Sequence, residues 1–279
     1  MEKGYTVDPL APEKPQSEWR DIATFVVKLV LIVFVVRSFI FSPFSIPSES
    51  MLPRLLIGDY LFITKFNYGY SKHSLPFSLP LLPNMHWSDP SPGDVVVFKA
   101  PPFNQDDWIK RVIGRPGDTV QMKAGQLILN GKAIPKQPIA DFVVPITPNF
   151  PAGKCRTEPQ ADAQGNKACR IARFRETLPN GKSYEVLDQG YYSRADDTEL
   201  FTVPAGHLFL MGDNRDDSQD SRFPQNPYDK EASGIRFVPI ENIEGKAVVN
   251  FWSTDGSASW LLPWTWFTAA RWSRIGEGF

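Results

Sequence analysis

Ser50 lies in Ile46-Pro47-Ser48-Glu49-Ser50-Met51-Leu52-Pro53, and Lys110 in Trp108-Ile109-Lys110-Arg111-Val112. A serine hydroxyl attacks a carbonyl only when a base takes its proton, and a lysine can be that base if an apolar pocket keeps it uncharged. No histidine stands beside either residue: His73, His86 and His207 are scattered, and their spacing does not suit a metal. Read alone, Lys110 is an ordinary strand lysine facing solvent, and Ser48 is a turn residue after Pro47. A third stretch, Gly212-Asp213-Asn214-Arg215-Asp216-Asp217-Ser218-Gln219-Asp220-Ser221-Arg222, alternates charge over a short span. Such a run makes a poor solvated strand and a good buried ion-pair network, one that can include Arg111.

Around these residues the chain must supply an anchor and a rigid frame. Residues 22–41 are apolar nearly all round and match the roughly 20 residues that cross a hydrocarbon core. Lys28 and Arg37 interrupt the segment, and each can snorkel to its nearer interface. No small-x-small cleavage site follows, so the segment reads as an uncleaved transmembrane anchor behind an N-terminal tail at 1–21. Lys3, Lys14 and Arg20 before it, against Arg54 and Lys65 after it, leave only a slight basic asymmetry.

Beyond the anchor the pattern is strand-like. Runs at 59–65, 94–98, 109–113, 119–122, 207–211 and 246–252 read as strands, and Asn130-Gly131 predicts a type I′ hairpin inside 127–134. The 26 prolines and 19 glycines in 279 residues argue for strands and turns over long helices. Residues 137–205 are polar, rich in turn residues, and carry both cysteines. They read as a subdomain inserted between two parts of a catalytic β domain, 42–136 and 206–279. Cys155 and Cys169 are too few for structural zinc, and are either free thiols or a disulfide. An exported location favours the bridge, which would contribute roughly 3 kcal/mol in the chain-entropy model. Four of the eight tryptophans fall in 260–272, a run too short to span a bilayer. It fits either a headgroup interface or an aromatic cap on the β core. A net charge of −1 gives no support for nucleic-acid binding.

Taken in order, PSESMLP at 47–53, GDYLFITKFNYG at 58–69, IKRVIGRPGDTV at 109–120 and GDNRDDSQDSR at 212–222 resemble bacterial type I signal peptidases. The resemblance is weakest in 137–205. It implies a mostly β fold of coiled antiparallel sheets with an inserted subdomain behind one transmembrane helix. It implies Ser50 as nucleophile, Lys110 as general base, Ser48 and the Ser50 backbone N–H as oxyanion donors, and Ser218 as the residue that orients the lysine. Asp213, Arg215, Asp220, Arg222 and Arg111 would hold these groups in register. Asp217 stands where many members carry asparagine, and a carboxylate there would favour the lysine ammonium unless it points away.

The expected substrates are signal peptides of exported preproteins, cut after small residues at −1 and −3 (Ala-x-Ala). Phe44, Ile46, Pro47, Met51, Leu52 and Ile109 would wall the pockets, with Met211 and Gly212 on the far side. No metal or organic cofactor is implied. The expected partners are the bilayer and, in addition, the protein export machinery, with the N-terminus cytoplasmic and the catalytic domain outside the inner membrane. The alternatives are a processing peptidase for one pilin or conjugation substrate, a self-cleaving regulator of the same Ser-Lys type, and a non-catalytic membrane-anchored scaffold. The missing DNA-binding segment argues against the regulator, and the presence of Ser50, Lys110 and Ser218 together argues against the scaffold.

Overall fold

The computed structural model describes residues 18–259 and 261–279. The tail at 1–17, with Lys3 and Lys14, and Trp260 lie outside the described residues. Helix α1 runs Glu18–Phe39, so it starts before the expected apolar segment and ends two residues short of it. Ile40 leaves the helix, and Phe41 already belongs to a strand. The end is set by capping: Ser42 Oγ donates to the Arg37 carbonyl at 2.6 Å, and Tyr70 OH donates to the Phe39 carbonyl at 2.8 Å. Both satisfy carbonyls that a helix end leaves without partners. At 1.5 Å per residue the helix is roughly 33 Å long, enough for a hydrocarbon core. Its apolar side chains, such as Phe25 and Leu31, stay exposed along its length.

The strands that position the site are β1 (Phe41–Ser45), β2 (Asp59–Thr64), β3 (Val95–Lys99), β4 (Asp107–Gly114), β5 (Thr119–Lys123), β6 (Gln126–Leu129), β7 (Lys136–Pro145), β8 (Lys167–Thr177), β9 (Ser183–Leu187), β10 (Phe201–Thr202), β11 (His207–Met211) and β12 (Ile243–Ser253). A seven-stranded antiparallel sheet has the order β1-β2-β12-β3-β4-β11, closed by the short strand Val238–Pro239. Period-2 alternation is clean in β2, where Leu61 and Ile63 are fully buried while Tyr60 and Phe62 turn outward. Strand β4 is different, because every residue from Ile109 to Gly114 is buried. Its two faces feed separate apolar clusters: Ile109 packs with Ile46, Met51 and Val97, whereas Val112 packs with Val96, Phe98 and Leu210. Lys110 therefore sits on a stretch of strand with core packed against both faces.

A second antiparallel sheet, from β7, β8, β9 and the short strand Gln160–Ala161, builds most of the expected insertion. Hairpin β5–β6, read from sequence as part of the catalytic domain, pairs with β10 through Val120↔Phe201 and Thr119↔Thr202. One apolar cluster then joins Ile113, Met122, Val186, Phe201, Phe209 and Met211 across both parts of the chain. Asn130 and Gly131 at φ 51° and 74° make the expected turn. Cys155 is bonded to Cys169 of β8, with Cα atoms 5.6 Å apart.

Candidate active site

Ser50 sits in the loop between β1 and β2. Met51 and Leu55 anchor this loop in the apolar cluster that holds Leu61 and Ile63 of β2, and Leu52 anchors it in a cluster with Cys169 and Leu187. The Ser50 carbonyl accepts from Asn214 N–H at 3.1 Å, and Asn214 Nδ2 donates to the Glu49 carbonyl at 3.3 Å. These two bonds dock the serine loop onto the 212–222 loop. Lys110 reaches the serine from β4: its Nζ donates to Ser50 Oγ at 2.7 Å, with Lys110 4% exposed and Ser50 7%. Sixty residues of chain separate them, and the sheet brings them into contact.

Burial disfavours the ammonium and pulls Lys110 down from 10.5 to about 8. Asp220 and Asp213 oppose that shift, and Arg222 adds to it. Neither carboxylate contacts the lysine, because each already holds an arginine. Arg111 grips Asp213 through Nε and Nη2 at 2.7 and 2.6 Å, and Arg222 grips Asp220 at 2.9 Å through both Nε and Nη2. Asp220 is held below the usual carboxylate range despite its burial, with Arg222 as the main opposing cause. Planar forks of this kind suit buried carboxylates.

Arg215 departs from the expected network. Its guanidinium pairs with Glu176 of β8 at 2.9 and 2.6 Å, and Tyr184 OH of β9 donates to the same carboxylate at 2.9 Å. Tyr184 also lies under Arg111, 4.4 Å from ring centre to guanidinium carbon. Neither Glu176 nor Tyr184 was legible as a site residue. Glu176 follows Arg173 and Arg175 in an alternating strand that reads as solvated, and no local signal marks it as fully buried.

Ser218 also differs from expectation. Its Oγ is buried and finds no hydrogen-bond partner among the described residues, so it does not hold Lys110 here. It lies close to Gly212: a Cβ built on that glycine would come within 2.3 Å of Ser218 Oγ and 2.6 Å of the Ser50 carbonyl oxygen. Gly212 is thus a close-approach point between two loops, and it is not among the residues that line the cleft at the dyad. Asp217 points away from the lysine, to Arg156 at 2.6 Å and Gln189 Nε2 at 2.7 Å.

A cleft of about 500 Å³ opens at the dyad, lined by Phe44, Ile46, Pro47, Ser48, Ser50, Val97, Trp108, Ile109 and Lys110 among others. Four of the predicted wall residues are therefore present. Met51, Leu52 and Met211 are not: each is at most 1% exposed and belongs to the core, the first two because the serine loop turns inward after Ser50, and Met211 because it packs from β11 into the cluster of Ile113 and Phe209. Ser48 is exposed into the cleft, with its Oγ 3.4 Å from Ser50 Oγ. Among the described residues no cluster of histidine, cysteine or carboxylate has a metal-binding arrangement.

Residues 19–252 match the family described as signal peptidase, peptidase S26. The signal peptidase I of Rickettsia typhi is 32% identical over 88% of this chain and 89% of its own length, and that of Rickettsia canadensis is 34% identical over 93% and 91%. A crystal structure of a signal peptidase I from Enterococcus faecalis aligns at 22% identity over 57% of this chain and 97% of its own, with a TM-score of 0.29. By the extent of the family match and the identity to full-length relatives, the chain belongs to the signal peptidase family, the S26 serine peptidases.

Proposed function

We propose that this protein is a membrane-anchored endopeptidase that removes signal peptides from exported preproteins through a Ser50–Lys110 dyad. The observation that carries this reading is the buried 2.7 Å contact between Lys110 Nζ and Ser50 Oγ, with no carboxylate in contact with the amine among the described residues. An uncharged Lys110 takes the seryl proton as Ser50 Oγ bonds to the scissile carbonyl carbon. The Ser48 hydroxyl and the Ser50 backbone N–H face the oxyanion. Lys110 then gives its proton to the departing amine, leaving an acyl-enzyme. Water, activated by the same lysine, hydrolyses that ester and frees Ser50. Ser218 is the spare acceptor for Lys110 once its bond to Ser50 breaks; a buried hydroxyl without a partner costs about 1–3 kcal/mol, and this motion would relieve it.

Two open strand edges support extended binding of the substrate. β1 pairs only with β2, and β4 pairs with β11 only from Arg111 onward. The free edges at Phe44–Ile46 and Asp107–Lys110 line one cleft, so a peptide can add as a strand between them. Ile46 and Ile109 are nearly closed off, 3% and 8% exposed, which leaves an apolar floor shallow enough for alanine-sized residues.

The bilayer is the second partner in this reading. Besides α1, an outward aromatic row crosses β1, β2 and β12: Phe41 lies 5.1 Å from Phe62, and Phe62 4.2 Å from Phe251. Trp264, Phe267 and Trp272 of the C-terminal run are exposed and extend this surface, which suits a headgroup interface better than a core cap. The Cys155–Cys169 bond fits an oxidising outer compartment, with the N-terminus cytoplasmic. Contact with the export machinery belongs to the same proposal. The test is cleavage of a purified preprotein in detergent by wild type, Ser50→Ala and Lys110→Ala. Cutting after Ala-x-Ala by wild type alone is the expected result. Turnover by folded Lys110→Ala would remove the lysine from its role.

A further inference from the structure

The cleft holds four carboxylates, and each carries its own cation. Asp107 pairs with Lys99 at 2.5 Å, Asp106 with Lys230 at 2.6 Å, Asp217 with Arg156 at 2.6 Å, and Glu49 with Lys154. The last two pairs are unusual in their source. Glu49 precedes the nucleophile and Asp217 precedes Ser218, yet both cations come from one tripeptide, Lys154-Cys155-Arg156, whose central residue is bonded to β8. Cys155 packs with Leu52, three residues beyond Glu49. The disulfide-tethered loop thus pairs with two residues that line the cleft, one next to Ser50 in the chain and one next to Ser218.

We propose that Arg156 is a positioning residue for the Ser50–Lys110 dyad: by holding the Asp217 carboxylate against the disulfide-bonded loop, it keeps a negative charge off the lysine amine. Asp217 lines the same cleft as Lys110, so the carboxylate has room to turn toward it. Four contacts prevent this. Arg156 Nη2 donates to Asp217 Oδ1 and, at 2.9 Å, to the Asp216 carbonyl. Gln189 Nε2 and Asn214 Nδ2 donate to Asp217 Oδ2 at 2.7 and 3.3 Å. Asp216 is itself occupied by Gln189 N–H at 2.5 Å.

Every charged group around the amine is accounted for in this arrangement. From the 212–222 loop come Asp213 and Asp220, each neutralised by an arginine, and Arg222. From β4 itself comes Arg111, spent on Asp213, with the Trp108 ring 5.4 Å from Nζ; from the serine loop comes the Ser50 hydroxyl. A freed Asp217 would be the first unpaired carboxylate in the cleft, and a nearby carboxylate favours the ammonium over the base. The device acts on protonation, and neither Arg156 nor Asp217 is bonded to the serine, the oxyanion donors or the substrate edges.

This inference rests on the Ser-Lys reading, and the experiment separates the two. The acid limb of kcat/KM against pH is measured on a purified preprotein for wild type, Arg156→Ala, Arg156→Lys, Asp217→Asn and the double variant Arg156→Ala/Asp217→Asn, with Lys110→Ala as the inert control that tests the dyad itself. In Arg156→Ala the acid limb should move up by about one pH unit, with about tenfold loss at neutral pH and little loss on the alkaline plateau. Arg156→Lys and the double variant should return the limb to its wild-type position. An unmoved limb in Arg156→Ala, or a fall equal at every pH that Asp217→Asn does not relieve, overturns the proposal, because a loop that merely supports the fold would behave in that way. Should Arg156→Ala not fold, Arg156→Gln on the same half-exposed side chain gives the same reading.

Discussion

Lys65 and Lys110 are equally buried, each 4% exposed, but their surroundings differ in kind. Lys65, just past β2 near the end of α1, has the Glu244 carboxylate 3.1 Å from its Nζ. Lys110, in the cleft, has a serine hydroxyl at 2.7 Å. Removal from water penalises the ammonium in both places. A contacting carboxylate compensates for that penalty; a hydroxyl does not. Burial alone therefore does not make a lysine a base. The sheet also has to keep carboxylates from touching it, and this molecule does so by giving Asp213 and Asp220 arginines of their own.

The largest expected effect breaks the comparison most directly. Lys110→Ala and Ser50→Ala should each lower kcat/KM by at least about 10³-fold on folded protein, whereas Lys65→Ala should leave most turnover per folded molecule. Equal losses from the two lysines would mean that burial, and not the partner, sets the chemistry. Next comes Glu176→Gln, which leaves Arg215 charged and buried without its partner. Denaturant unfolding should show a loss of about 3 kcal/mol, and Glu244→Gln at the Lys65 site should cost a similar amount. Losses well under 1 kcal/mol would show that water reaches these pairs.

The pH dependence has a definite sign. In the proposed mechanism Lys110 acts in its neutral form; burial holds it down at about 8, so turnover should fall as pH drops through that value, about tenfold per unit below it. A lysine that loses its proton more easily when folded also makes the native state gain stability as pH rises from about 8 to 10.5, because the unfolded chain binds the extra proton in that window. A flat rate profile to mildly acid pH would count against a lysine base. The smallest effect belongs to the rim: Lys154→Ala should change stability by less than about 1 kcal/mol in thermal melts, since its pair with Glu49 is a third exposed and screened by solvent.

Local patterns carried much of the frame. The apolar run announced α1, the strand-like run at 59–65 announced β2, and Asn130-Gly131 announced its hairpin, because each depends on near neighbours. Helix α1 ends early because Ser42 and Tyr70 cap it, and Tyr70 is distant in the chain. The pairing of β5–β6 is long-range in the same way: the hairpin is sound locally, and only the fold brings β10 beside it.

By itself the sequence determined the residue types and order that a serine–lysine reaction needs: Ser48 and Ser50 behind an apolar segment, Lys110 on a strand, and a charged loop at 212–222. Tertiary structure alone decided the contacts that give those types their chemistry. It placed Ser50 and Lys110 within 2.7 Å, sent Met51, Leu52 and Met211 into the core, left Ser218 without a partner among the described residues, and paired Arg215 with Glu176 and Asp217 with Arg156. The physical reason is range. Propensity and periodicity act over a few residues of chain, whereas desolvation and ion pairing depend on which distant groups the sheets bring within a few ångströms.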